Sequence, residues 1–282
     1  DSATFGGPNS IFDGSDYLVV KSTVVAGNNT AQRWSYISRN QDGTTTLRIW
    51  GSEDLVSGTD RVIVVNPKAS ETALRQLVVS GAYFTTYSTP FDTNFTPLRP
   101  LETYLIYGVD TANLGMPFNR ADYFIRRFNA VGNVIAPQRC AQSTGVLEKV
   151  PVDQVNGQLT NFMPLLDCVA DMQVAFGVDT TNPTDGTIDC YTNNLANVLA
   201  PVDAQNVRER VKEVRIYVLA HEGQYDSFFT FGTNPIAVGE NNPLNCGADP
   251  ILGQNFNLTP IPNWQNYRWK VYTLVVKPEN LR

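Results

Sequence analysis

Leu166-Asp167-Cys168-Val169-Ala170-Asp171-Met172-Gln173-Val174-Ala175-Phe176-Gly177-Val178-Asp179 leads directly into Thr180-Thr181-Asn182-Pro183-Thr184-Asp185-Gly186-Thr187-Ile188-Asp189. Met172, Val174, Phe176 and Val178 alternate with Gln173, Ala175 and Gly177. That two-residue period belongs to a β-strand with two distinct faces. The run then breaks into carboxylates, threonines, a proline and a glycine, which is the chemistry of a tight turn.

The same alternation recurs outward from this stretch. Toward the C-terminus, Val214, Ile216, Val218 and Ala220 alternate with Arg215, Tyr217 and Leu219, and Trp269 to Lys277 reads as a closing strand stopped by Pro278. Toward the N-terminus, Tyr17 to Val25 is β-branched, and Arg33–Ser38 and Thr44–Trp50 flank the hairpin signal Asn40-Gln41-Asp42-Gly43. Arg61–Val65, Thr103–Val109 and Asp122–Phe128 read as further strands. Helix is confined to short pieces: one or two turns over Ser70–Leu77 capped by Ser70, and a helix from Pro201 and Asp203 to about Lys212. The expected fold class is α+β, mainly antiparallel β. The expected organisation is one domain over 1–282, with room for an inserted lobe at about 80–165 and a long Asn-rich loop excursion at about 223–263.

The chain has 282 residues, 42% hydrophobic and 17% charged, with a net charge of −6. A chain this long buries roughly 75% of its unfolded surface, enough for a substantial core. The negative balance excludes a nucleic-acid binder, which needs a basic field to displace counterions. No Lys/Arg run suggests an anionic membrane surface, and no apolar run approaches the roughly 18 residues of a spanning helix.

Cys140, Cys168, Cys190 and Cys246 form no C-x-x-C pair, so zinc and dithiol motifs are missing. An even count in a loop-rich chain suggests two disulfides with three possible connectivities. Cys140 with Cys168 and Cys190 with Cys246 is the preferred one; four buried thiols are the alternative.

The opening stretch resembles the "dmQvxYGvD…DGtvD" run that precedes the last strands of PilW-type minor pilins. Gly14-Ser15-Asp16-Tyr17-Leu18-Val19-Val20 is similar to that family's early "GsDxLxv" strand, and Arg210 to Ala220 to its "vraVrvxllv" strand. Tyr267 to Val276, followed by Asn280-Leu281-Arg282, is similar to its closing "yRrxvfxxxvxlrN" strand. The J-type minor pseudopilins of type II secretion share the topology class. The resemblance implies a pilin-like globular head lacking its N-terminal helix, either removed or carried on a separate polypeptide. It implies a non-enzymatic subunit of a type IV pilus or related filament, acting in assembly, initiation or tip structure. Its partners would be other pilin or minor pilin subunits, including a separate short helical pilin chain, and its only membrane contact would run through the missing helix. Its place would be periplasmic or inner-membrane before assembly, and the extracellular filament or cell surface afterwards. The alternative is a cell-surface adhesin or ligand-binding module using loops 223–263.

Chemistry-bearing residues are few. Asp179, Asn182, Asp185 and Asp189 offer side-chain oxygens and Thr187 a carbonyl, so this loop is a candidate calcium site. The spacing is not that of an EF-hand, and an Asx-rich turn without an ion is the competing reading. His221 is the sole histidine, expected in a solvated turn at a strand end, and no G-x-S-x-G accompanies it. Glu102 with Asp110, or Asp167 with Asp171, are the carboxylate pairs a glycosidase would need. No catalytic residue is assigned.

Overall fold

The alternating runs become strands in the computed structural model, which describes residues 14–51, 54–68, 74–242, 244, 246 and 250–278. In chain order these are β1 (Leu18–Ser22), β2 (Trp34–Arg39), β3 (Thr45–Leu47), β4 (Arg61–Lys68), β5 (Leu74–Leu77), β6 (Thr85–Thr86), β7 (Thr103–Asp110) and β8 (Asn119–Arg126). Then follow β9 (Gly145–Pro151), β10 (Met163–Val178), β11 (Cys190–Thr192), helix α1 (Ala204–Arg210), β12 (Val211–Glu222), β13 (Ile236–Asn241), β14 (Ile251–Phe256) and β15 (Arg268–Val276). Every strand pairing whose register is defined among the described residues is antiparallel. The chain divides into two compact units, one of residues 1–18, 123–149 and 163–282, the other of 19–122 and 150–162. The sequence suggested one continuous domain with a lobe at about 80–165.

The first unit is built on β10, whose sixteen residues pair with β9, β11 and β12. β12 pairs in turn with β15, the last strand in the order β8-β9-β10-β12-β15. Alternation along β12 sends Tyr217 and Leu219 to one face, where they pack with Trp269, Tyr267, Val238 and Leu252. Val218 and Ala220 go to the other face, with Val169 and Met172. Apolar side chains on both faces anchor the middle of β12, since each buried aliphatic side chain contributes roughly 1.5–3 kcal/mol.

The loop expected over 223–263 is in part a hairpin. β13 and β14 pair from Ile236↔Phe256 to Asn241↔Ile251, and Val238, Leu252, Leu258 and Ile261 are buried in the core. Two glycines face each other in this register, Gly239 and Gly253, both with positive φ. A Cβ on Gly239 would collide with the Leu252 carbonyl, and one on Gly253 with the Val238 carbonyl. Glycine here permits a close backbone approach that no other residue allows.

The second unit carries the sheet β3-β2-β7-β4-β5, with β6 on β4. Ile37, Val62, Val64, Tyr104 and Ile106 enclose one side with Phe91 and Phe95; Ile63, Val109 and Leu114 pack on the other. Leu74–Leu77 is a strand paired to β4 and not the end of a helix. Cross-strand pairing with β4 outweighs a local helical preference of only a few tenths of a kcal/mol per residue. The rest of that expected helix lies outside the described residues. The second expected helix is α1, capped by Asp203, whose carboxylate accepts the Asn206 N–H at 2.8 Å. It gives way to β12 at Val211, two residues short of the expected end at about Lys212.

Candidate functional site

The loop after β10 is held by its own amides. Asp179 is buried, and its carboxylate accepts the Thr181 N–H (3.1 Å), the Thr181 hydroxyl (2.6 Å) and the Gly186 N–H (2.7 Å). Burial pushes this carboxyl up, but the bonds from Thr181 and Gly186 together outweigh it and hold it below the usual range. Asp189 accepts the N–H groups of Thr180 and Thr181 and the Thr180 hydroxyl. Asp179 and Asp189 therefore converge on the Thr181 amide. Asp185 turns back on the Thr187 N–H, and Asn182, Asp185 and Thr187 are exposed. Arg210, at the end of α1, donates to the carbonyls of Asp179 and Thr181 and ties the loop to the start of β12. The five expected ligand residues thus split into a converging pair and an exposed tip. No described residue completes a wider set of carboxylates around the pair.

Cys140 is joined to Cys168 and Cys190 to Cys246, with Cα–Cα distances of 4.9 and 5.2 Å. These are the pairs preferred in the sequence. Cys168 lies at an irregularity in the β9–β10 register and has a positive φ of 58°. Such a bulge re-aims a side chain.

His221 does not sit in a solvated turn. β12 runs through it to Glu222, opposite Trp269, and the imidazole packs 4.5 Å from Tyr267 and 5.1 Å from Trp269. Its Nε2 accepts the Ala141 N–H at 2.8 Å, which leaves the proton of the neutral ring on Nδ1. Burial pushes its pKa down to about 4, so it stays neutral at ordinary pH. The potential ligand atoms of Cys140, Cys168 and His221 lie within 4.8 Å of one another, but the two sulfurs are bonded to each other.

The carboxylate pairs are engaged elsewhere. Asp167 meets Arg139 at 2.6 Å, whereas Asp171 is fully buried and accepts from Gln173 and Gln254. Glu102 accepts the Arg99 N–H, and Asp110 accepts those of Thr111 and Ala112. Among the described residues no nucleophile, base and orienting group are joined in a hydrogen-bonded relay.

What the first unit does present is apolar surface. Val214, Ile216 and Val218 on β12 stand opposite Val276, Leu274 and Tyr272 on β15, all on one face. Leu274, Val275 and Val276 are 49%, 52% and 47% exposed, although they lie in a regular strand. Sequence reading missed this because Tyr272 to Val276 looks like any core strand; only the strand order places it at the border of the sheet.

Fold and surface together describe a β-rich protein in which, among the described residues, β15 closes the sheet as an apolar edge strand. The model of the family described as Type IV Pilus-assembly protein W matches residues 123–280, more than half of the chain, and the chain belongs to that family. Membership implies an exported or envelope-associated protein working with other pilus components. Among the described residues no helix is long and apolar enough to cross a membrane. Comparison with curated proteins and with solved structures gives no match.

Proposed function

We propose that this protein is a non-enzymatic subunit of a type IV pilus or related filament, acting in assembly, initiation or tip structure through contacts with other pilin or minor pilin subunits. Beside family membership, the observation that favours this reading most is the half-exposed apolar face of β12 and β15. A regular strand at a sheet border that shows Leu274, Val275 and Val276 to water is a liability unless another chain covers it. A sibling head or a separate short helical pilin chain with an apolar stripe would suit the aliphatic row of Val214, Ile216, Leu274 and Val276. Exported to the periplasm or inner membrane, the head would pass with its filament to the cell surface. The membrane would be reached through an N-terminal pilin helix. The test is capture of pilin-like subunits by wild-type protein and by a Leu274→Asp/Val276→Asp variant.

The adhesin alternative keeps exposed Tyr225 and Phe228 in its favour, while Ile236, Val238, Leu252, Leu258 and Ile261 belong to the core. For the Asp179–Asp189 loop the favoured role is an ion-free turn, because the two converging carboxylates already hold five donors. Calcium at Asp179, Asn182, Asp185, Thr187 and Asp189 is the second reading, favoured by that convergence. A chelator should leave the melting temperature unchanged. A rise on adding calcium, lost in Asp189→Asn, would establish the ion instead.

A further inference from the structure

The family match begins at residue 123, so nearly all of the unit formed by 19–122 and 150–162 lies outside it. That unit carries a surface of different chemistry. β2 and β3 pair through Ser38↔Thr46 and Ile37↔Leu47, and the ladder continues as the Arg48 N–H donates to the Tyr36 carbonyl at 2.9 Å. Alternation buries Ser35 and Ile37 and turns Trp34 and Tyr36 outward. The Trp34 and Trp50 rings stand 5.4 Å apart at 52°, and Tyr36 meets Trp50 edge-on at 6.2 Å. The Arg48 guanidinium stacks 4.6 Å from the Trp50 ring centre. The two indoles are 46% and 43% exposed.

We infer that this ribbon is a glycan-binding platform. Sugar rings would lie with their C–H faces on Trp34 and Trp50, and their hydroxyls would reach Arg48 and the polar row of Ser38, Thr46 and Asn40. Three observations favour a sugar over a protein partner. First, the surface is graded: aromatic at Trp34 and Trp50, neutral and hydroxyl-rich toward Asn40, where the side-chain amide donates to Thr44 and Thr46. A pyranose has the same division between an apolar face and a hydroxyl rim. Burying that row under apolar protein would leave its spare donors and acceptors unsatisfied.

Second, the platform is built before any ligand arrives. Asp54 accepts the N–H groups of Trp50 and Gly51 at 2.7–2.9 Å, and the Ser35 hydroxyl donates to the Arg48 carbonyl. Fixing the backbone that carries the rings in advance lowers the ordering cost of binding. Third, the Arg48 guanidinium makes no hydrogen bond or ion pair among the described residues, and Asp54 is engaged as above. An unneutralised guanidinium lying on an indole favours a sugar that carries a carboxylate, which it can grip with two N–H groups.

The experiment is calorimetric titration of the full chain with cellohexaose, chitohexaose, mannohexaose and oligogalacturonate. We expect saturable binding, tightest for the uronate and weakened by salt. Trp34→Ala and Trp50→Ala should each lower affinity at least about tenfold with unchanged melting, and Arg48→Gln should abolish the preference for the uronate. Absence of saturable binding across the panel, or binding that survives in Trp34→Ala/Trp50→Ala, overturns the inference. The double variant should still capture pilin-like subunits. If it loses them while no sugar binds, the ribbon is a protein interface, and the inference falls without touching the β12–β15 proposal.

Discussion

Asp171 carries its charge where water cannot reach it. Burial pushes its pKa up to about 6, against the hydrogen bonds from Gln254 and Gln173 that favour the carboxylate. Its model-peptide value is 3.8. Between these two values the folded chain holds the proton more tightly than the unfolded one, so stability from this group falls as pH rises and is lost above about 6. His221 works in the opposite direction over almost the same window: its folded value of about 4 lies below the ordinary 6.5, so its contribution rises with pH. Asp171→Asn should therefore gain on the wild type by up to about 3 kcal/mol between pH 4 and pH 7. Denaturant titrations of both proteins at intervals of half a pH unit measure the difference. A difference that stays constant with pH would show that Asp171 titrates like an exposed carboxylate. Neither environment was legible in the sequence. His221 reads as a turn residue because Glu222, Gly223 and Gln224 follow it, and only the pairing with Trp269 reveals that the strand encloses it. Asp171 breaks an apolar run and reads as an interruption, yet two glutamine amides from separate strands make the burial tolerable.

At the scale of elements, alternation was the legible signal. The β10 pattern from Met172 to Val178, the β12 pattern from Val214 to Ala220 and the closing strand are all present where the residues place them. The β13–β14 hairpin was not legible. Its strands carry Gly239 and Gly253 where a β-branched residue would have announced them, and its apolar positions are diluted by asparagines and prolines. The same glycines make it testable. Gly239→Ala should destabilise the protein by more than about 2 kcal/mol, because the new methyl must displace the Leu252 carbonyl. Gly232→Ala, which meets open space, should be near neutral. Equal melting temperatures for the two would contradict the close approach. The hairpin is also fastened by charge: Arg215 on β12 reaches Glu213, the Tyr191 hydroxyl and Glu240 on β13. That network gives Glu240 a partner in a segment that otherwise reads as loop.

For the whole molecule, family membership follows from residues 123–280, and the second unit adds a surface of its own. The order of short motifs pointed to the family. The division into units was hidden, because the chain passes from one unit to the other inside continuous strands such as β8 and β9, with no linker composition to mark the change. The candidate calcium residues were legible as a cluster, but which carboxylates would turn to their own amides depended on the path of the loop. The edge position of β15 depends on strand order, which no local pattern encodes. Two acidic side chains on that edge should leave the fold intact, since Leu274 and Val276 are already half in water, while putting uncompensated charge into any apolar contact made there. The decisive measurement is co-purification of pilin-like subunits, co-expressed with wild-type protein or with Leu274→Asp/Val276→Asp. Retention by the wild type and loss by the variant, at equal melting temperature, is the predicted result; equal retention, or no pilin-like partner for either, would contradict assembly through the β12–β15 face.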